Sequence, residues 1–288
     1  MAISDISLTT GMRSNLLALQ STTAAMNQTQ NRLSTGKKVN SALDNPTNFF
    51  SAQSHLQRAS DLSDRKDGMS EGIQTVKAAD AGIKAITALI QAAKGLVSSA
   101  YGNTDVTARK DYSEQFDALL DQIDTIAEDS GYKGTNLLGG DILTVEFSQY
   151  SGDATLVING FVATTDSTAT PAGELDIAKA SKAADATNGT DWATNANIKT
   201  SADALDAAQD ILRSQSSSLA SSLTVITTRQ EFTNTMINTL QTGADNLTLA
   251  DMNEEGANML MLQTRQSLST TALSLSSQAA QSVLRLFG

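Results

Sequence analysis

The chain has 288 residues, 40% of them hydrophobic but only 4% aromatic, with one Trp, one His, two Pro and no Cys. A formal net charge of −11, with no basic run denser than Gly36-Lys37-Lys38, excludes nucleic-acid binding, which needs a basic face. Without cysteine there is no disulfide framework, thiolate metal site or thiol nucleophile, and no stretch approaches the ~18 apolar residues of a membrane span.

A compact core draws its bulk from aromatic and branched side chains; a chain this rich in Ala, Ser and Thr suits thin structures whose helices approach closely. The N-terminal residues lack a basic region followed by an unbroken apolar run, so they do not read as a secretory signal. Met12, Leu19, Met26 and Leu33 then recur every seventh residue, with Leu16, Thr23 and Gln30 as the neighbouring row. That period is a coiled-coil helix. Pro46 disfavours helical geometry at Asn45, so a break falls there.

The next helix is the most regular. Leu62, Met69, Val76, Ile83, Ile90 and Val97 form one row, and Gly72, Ala79, Ile86, Ala93 and Ala100 the other. Large residues in one row and mostly small ones in the other describe close helix packing. A further helix follows, with Tyr112, Phe116, Leu119, Ile123 and Ile126 stepping by four and three, and stops at the glycines 131 and 134. Residues 141–150 and 154–161 are partly alternating and β-branched, which predicts a hairpin. The stretch 163–197 reads as a short exposed insertion carrying one short helix near 175–187.

The C-terminal part holds the longest row: Leu205, Leu212, Leu219, Ile226, Thr233, Leu240, Leu247, Glu254, Met261, Leu268, Leu275 and Ser282. Ala272, Ala279 and Leu286 form the adjacent row at the end. Glu254 in an otherwise apolar row marks a local break. Both ends of the chain thus carry apolar stripes with no core beside them, and isolated helices are marginal in water. The expected solution pairs the two ends with each other and the outer face of the pair with other copies. The expected self-assembly residues are Met12, Leu16, Leu19, Met26, Leu33, Met261, Leu268, Ala272, Leu275, Ala279 and Leu286. The fold class is mainly α: an elongated antiparallel coiled-coil bundle formed by both ends, with a small β-hairpin and a short outer module in the middle.

Several groups could suggest chemistry and read more simply as structure. His55 stands alone, one heptad before Leu62, which rules out a two-histidine zinc motif. The acidic pairs Asp61/Asp64, Asp121/Asp124 and Glu254/Glu255 read as solvated helix faces rather than acid–base pairs. Gly139-Gly140 is a turn, and the Ser/Thr-rich tract 163–170 reads as plain solvated surface, with O-glycosylation as the alternative. No catalytic constellation and no cofactor site follow from these residues.

Residues 31–53 resemble the N-terminal pattern of the bacterial flagellins, carried by Asn31, Arg32, Leu33, Ser34, Gly36, Asn40, Ser41 and Asp44. The stretches 131–138, 204–212, 245–263 and 278–287 resemble further blocks of the family, in order. The resemblance implies a subunit exported through the flagellum's own channel that polymerises into a helical extracellular filament used for swimming. It implies homo-oligomerisation, with hook-associated junction and cap proteins, the export apparatus and an export chaperone as partners. It also implies an inner domain of 1–43 plus 249–288, a long-helix domain of 44–162 plus 198–248, and a surface insertion at 163–197. The alternative within the same class is a hook–filament junction protein. Where many family members carry an Arg-rich segment bound by an animal immune receptor, this chain has Gln91, Ala92, Lys94, Gly95 and Leu96. Without the guanidinium forks a weakened receptor site is expected.

Overall fold

The structure, a computed structural model, describes residues 10–148, 154–166, 173–180 and 191–287, without the side chains of 280 and 283–287. Its elements are α1 (Thr10–Thr35), α2 (Pro46–Gly102), α3 (Val106–Asp129), β1 (Ile142–Glu146), β2 (Thr155–Asn159), α4 (Asn195–Thr248) and α5 (Met252–Phe287). The mainly helical class with one small hairpin is as expected. The chain divides into two compact units, residues 1–57 with 239–288 and residues 58–238, so that both boundaries fall inside the long helices α2 and α4.

In the larger unit the seven-residue rows are the core. Met69, Val76, Ile83, Ile90 and Val97 of α2 are buried, as are Ala79, Ile86, Ala93 and Ala100. They join Phe116, Leu120, Ile123 and Ala127 of α3 and Ile198, Leu205, Leu212, Leu219 and Ile226 of α4 in one apolar cluster. On α3 the most buried face lies slightly off the expected one: Leu120 and Ala127 are enclosed, and Tyr112, Leu119 and Ile126 flank the cluster. The small residues matter as gaps. A Cβ on Gly82 would lie 2.6 Å from Leu138 Cδ1 and 2.9 Å from Ser130 Cβ, so only glycine lets the turn after α3 seat against α2.

That turn closes through paired backbone hydrogen bonds between Tyr132 and Thr135. Lys133 and Gly134 at its centre both have positive φ, 50° and 84°, the pattern of a primed hairpin turn. Lys133 reaches Glu71 of α2 at 2.9 Å. Their mutual hydrogen bond holds the Glu71 carboxyl below its ordinary value and the Lys133 ammonium above its own. The β1–β2 hairpin is antiparallel, with Leu143 opposite Ile158 and Val145 opposite Leu156. Val145 and Ile158 are buried while Ile142 and Val157 are exposed, so one face packs and the other meets solvent.

Two expectations for the middle of the chain are corrected. Residues 173–180 contain no helix, and the rest of the expected 175–187 helix lies outside the described residues. Their backbone is used elsewhere: Glu174 N–H donates to Val162 O at 2.8 Å and Ile177 N–H to Thr165 O at 3.1 Å. Nor are the described parts of 163–197 an exposed module, because Ala163, Leu175, Ile177 and Trp192 are buried in the same cluster as α3. Trp192 packs against Phe116 in a tilted arrangement, with ring centroids 4.9 Å apart. The acidic face of α3 makes this docking possible. Asp124 accepts from Thr165 N–H at 2.7 Å, and Asp117 from Ala180 N–H at 2.6 Å. Asp121 pairs with Lys179. The solvated-face reading is therefore corrected at Asp124 and stands at exposed Asp121: Asp117 and Asp124 satisfy buried backbone donors that no helix or sheet serves.

In the smaller unit α1 and α5 pack against each other, antiparallel, since Arg32 near the end of α1 meets Glu255 at the start of α5. The break at Pro46 is as read. α2 begins there, capped by Asn45, whose Oδ1 accepts from Asn48 N–H at 3.1 Å.

Candidate self-assembly site

The site is built at a joint where the segment after α1 crosses the junction of α4 and α5. Gly36 has φ +69°, a left-handed geometry suited to glycine, and its N–H donates to Arg32 O at 2.8 Å to close α1. The chain then turns so that Lys38 N–H donates to Thr248 O at 2.8 Å, while Ala250 N–H donates back to Gly36 O at 3.0 Å. These bonds take the carbonyl at the end of α4 and the first free donor after it. The helical run stops here with neither proline nor glycine between Thr248 and Met252.

The rest of the motif holds the crossing rigid. Asn40 Nδ2 donates to Thr35 Oγ1 at 2.9 Å. Asp44 Oδ2 accepts from Asn40 N–H and Ser41 N–H, both at 3.0 Å, and from Ser41 Oγ–H at 3.2 Å. Those backbone donors, Asn40 first and Ser41 next, hold the Asp44 carboxyl below the usual aspartate value. Asn31 contributes its carbonyl to the Thr35 hydroxyl at 2.8 Å, and Ser34 is exposed.

On the far side Asp251 starts α5 anew, its Oδ1 accepting from Asn253 N–H at 2.9 Å and Glu254 N–H at 3.3 Å. The break falls at 249–251, as the charge in the row suggested, but the residue inside the seam is Glu255. Glu254 is exposed. Glu255 is buried, and its Oε1 accepts from Arg32 Nη1 at 2.9 Å. The third expected solvated acidic pair is thus half structural.

This restart resets the helix phase. On α5 the row enclosed against α1 contains Glu255 and Leu262, at 6% and 8% exposure, with Met259, Gln266, Ser269, Leu273 and Ser276 half-buried along it. On α1 Met12, Leu19, Met26 and Leu33 are half-buried, and Leu16 is exposed. The expected α5 residues lie on the other side. Leu268 is 65% exposed, Leu275 61% and Met261 45%, and Ala272 and Ala279 are exposed with them. Their expected partnership with the chain's own N-terminal helix is therefore corrected, because three non-helical residues interrupt the heptad count. Leu286 belongs to α5, but its side chain lies outside the described residues.

Three features were missed in the sequence. The first is the α3 carboxylate face. The second is Glu255, which its neighbour Glu254 masked in the heptad count. The third is Arg109, buried where its Nε donates to Asn103 O at 2.6 Å and its Nη1 to Ala193 O at 3.0 Å. It also bonds Asn195 at the start of α4, so it clamps the α2–α3 loop to the segment before α4. A lone Arg after a helix start gives no sign of this. In the segment 91–96, Gln91, Ala92 and Gly95 are exposed, Leu96 is half-buried, and Lys94 Nζ donates to Gln209 Oε1 at 2.6 Å and pairs with Asp206. Among the described residues no group of three His, Asp or Glu side chains could hold a metal ion, and no helix is long and apolar enough to cross a membrane.

An exposed apolar row on a helix whose opposite face is already paired is the mark of a protein that associates with others. Tied terminal helices carrying such a row describe a subunit that associates through them with further chains. Residues 6–142 match the family model described as the bacterial flagellin N-terminal helical region. That match places the N-terminal part of the chain with the bacterial flagellins, and flagellin homologues that align along the whole chain indicate a subunit of the flagellar filament. It aligns over 288 residues, 100% of both chains, with flagellin FljM of Caulobacter vibrioides at 29% identity. It aligns with the flagellin of Brucella melitensis at 28% identity over 275 residues, 94% of this chain and 95% of that one. The flagellin of Listeria monocytogenes matches at 27% identity over 121 residues, 42% of each chain. End-to-end relatives of this kind favour a filament subunit over a hook–filament junction protein.

Proposed function

We propose that the chain polymerises through its terminal helices, with Met261, Leu268, Ala272, Leu275 and Ala279 as the face that neighbouring copies cover. The observation that carries the reading is the exposed apolar row of α5, lying opposite a face already closed by α1. On α1, Leu16 and Leu17, 37% and 65% exposed, extend the apolar surface. Half-buried Met12, Leu19, Met26 and Leu33 serve the intrachain pair and its outer edge together, and Leu286 is assigned to the same interface from its register in the sequence alone.

In this reading the α1–α5 pair buries too little apolar surface to order itself fully in a free chain, and assembly offsets the ordering entropy. Residues 1–43 and 249–288 form the inner tube and 44–162 with 198–248 the shell around it, which carries the insertion 163–197 with its described parts docked on α3. Export proceeds through the flagellar apparatus with a chaperone and without a cleaved signal peptide, and the growing filament meets junction and cap proteins at its ends. The segment around Gln91, Ala92, Lys94, Gly95 and Leu96 is a weak receptor site, since the one cation left in it is engaged by Asp206 and Gln209.

Seeded reassembly tests the reading. Full-length chain elongates filament fragments, whereas Leu268→Asp and a chain lacking 282–288 do not elongate them yet keep the thermal transition of the larger unit. Normal elongation by both variants would refute the assigned face.

A further inference from the structure

The two terminal helices pose a problem that burial alone does not solve. The face of α5 turned toward α1 is its poorer one, carrying Glu255, Gln266, Ser269 and Ser276 beside Leu262 and Leu273. The richer row, Met261, Leu268 and Leu275, points away and stays exposed. Neighbouring residues on an α-helix project about 100° apart, so turning α5 by one residue would exchange the two rows. Apolar burial within the chain favours that exchange.

The feature that opposes it sits at the joint. Arg32 has two adjacent carboxylates within one turn of the α5 start, Glu254 and Glu255, and it pairs with Glu255 at 2.9 Å. Glu255 is buried, and its second oxygen, Oε2, has no hydrogen-bond partner among the described residues. A half-satisfied buried carboxylate is an expensive way to gain stability, and the best-attested use of such a pair is to select one arrangement over another. Glu254 stands exposed one residue earlier, in phase with Met261, Leu268 and Leu275. Pairing through Glu254 would bring that row against α1; pairing through Glu255 keeps it out.

We infer that the choice of Glu255 over Glu254 as the partner of Arg32 sets the azimuth of α5 and reserves the Met261–Leu268–Leu275 row for neighbouring copies. This rests on the assembly face proposed above. The ion pair is a positioning device: it joins α1 to α5 within one chain, and it decides which surface the neighbour meets. The clamp of Gly36 on Ala250 and the Asp251 cap hold the start of α5 in place, so that a single carboxylate position controls the rotation.

The absence of cysteine makes the azimuth directly readable. Counting six residues back from Arg32 and six or seven on from Glu255 places Met26 level with Met261 and Leu262. In filaments, a short thiol-specific bifunctional reagent joins Met26→Cys to Leu262→Cys, and Met26→Cys to Met261→Cys poorly. Adding Glu255→Leu, which leaves Glu254 as the remaining carboxylate of the adjacent pair on α5, shifts cross-linking from position 262 to 261 and lowers seeded elongation several-fold. Glu254→Leu changes neither readout. The charge-exchanged chain Arg32→Glu/Glu255→Arg, which guards against simple misfolding, restores the 262 cross-link and elongation. Retention of the 262 cross-link by Glu255→Leu overturns the inference, as does failure of the exchanged pair to restore it. A shifted cross-link with undiminished elongation overturns instead the assembly face on which the inference rests.

Discussion

The α2–α3–α4 cluster and the α1–α5 pair are written in the same seven-residue language and use it in opposite directions. In the cluster, every large residue of the α2 row from Met69 to Val97 is turned inward and enclosed by its own chain. In the pair, Leu268 and Leu275 belong to an equally regular row and face outward. The cluster finishes its packing within one chain; the pair leaves its better face open. A heptad row therefore states that a helix has an apolar side, and says nothing of whether the partner lies in the same molecule.

The contrast can be broken or sharpened by substitution. The largest effect on the isolated chain is expected from Ile86→Ala, which empties a fully buried site and costs about 2–5 kcal/mol, read as a fall in the thermal midpoint. Gly82→Ala comes next. The added methyl must displace Leu138 and Ser130, at a cost of about 1–3 kcal/mol in denaturant unfolding. Leu268→Ala, by contrast, shifts the stability of the free chain by no more than about 0.5 kcal/mol, while elongation of seeds drops sharply. A Leu268→Ala chain as destabilised as Ile86→Ala would erase the distinction between the two regions.

The smallest expected effect is a pH dependence at the joint. The Asp44 carboxyl is held below its usual value, so its contribution is present above the unfolded value near 3.8 and is lost as pH falls through the lower folded value. Thermal scans across that acid range show a slope that Asp44→Asn flattens. Glu71, likewise depressed, behaves in the same sense, and Lys133, raised, contributes below its usual 10.5 and ceases to as pH rises through its higher folded value.

Much of the fold was legible because it depends on local rules. The rows of α2 and α4, the break at Asn45-Pro46, the turn at 131–134 and the hairpin all follow from side-chain period and turn chemistry. Three things were not legible. The α3 carboxylates looked solvated because the backbone they serve lies some forty to sixty residues away in sequence, at Thr165 and Ala180. The described part of the expected 175–187 helix looked helical because its composition is permissive, and its backbone donors go instead to Thr164 and Thr165, from Leu175 and Ile177, and to Asp117, from Ala180. The phase of α5 was misread because the count ran through 249–251, where no proline or glycine announces a stop.

What the sequence alone determined is the set of apolar rows, the positions of most breaks and the resemblance that placed the chain among the flagellins. These are properties of neighbours along the chain, and period and capping encode them directly. Which row of α5 is spent within the molecule and which is kept for the next subunit was decided only by the tertiary structure. That choice turns on one buried carboxylate, its Arg32 partner and a backbone clamp between residues more than two hundred positions apart. Rotation of a helix about its own axis changes no local propensity, so nothing in the local sequence can report it.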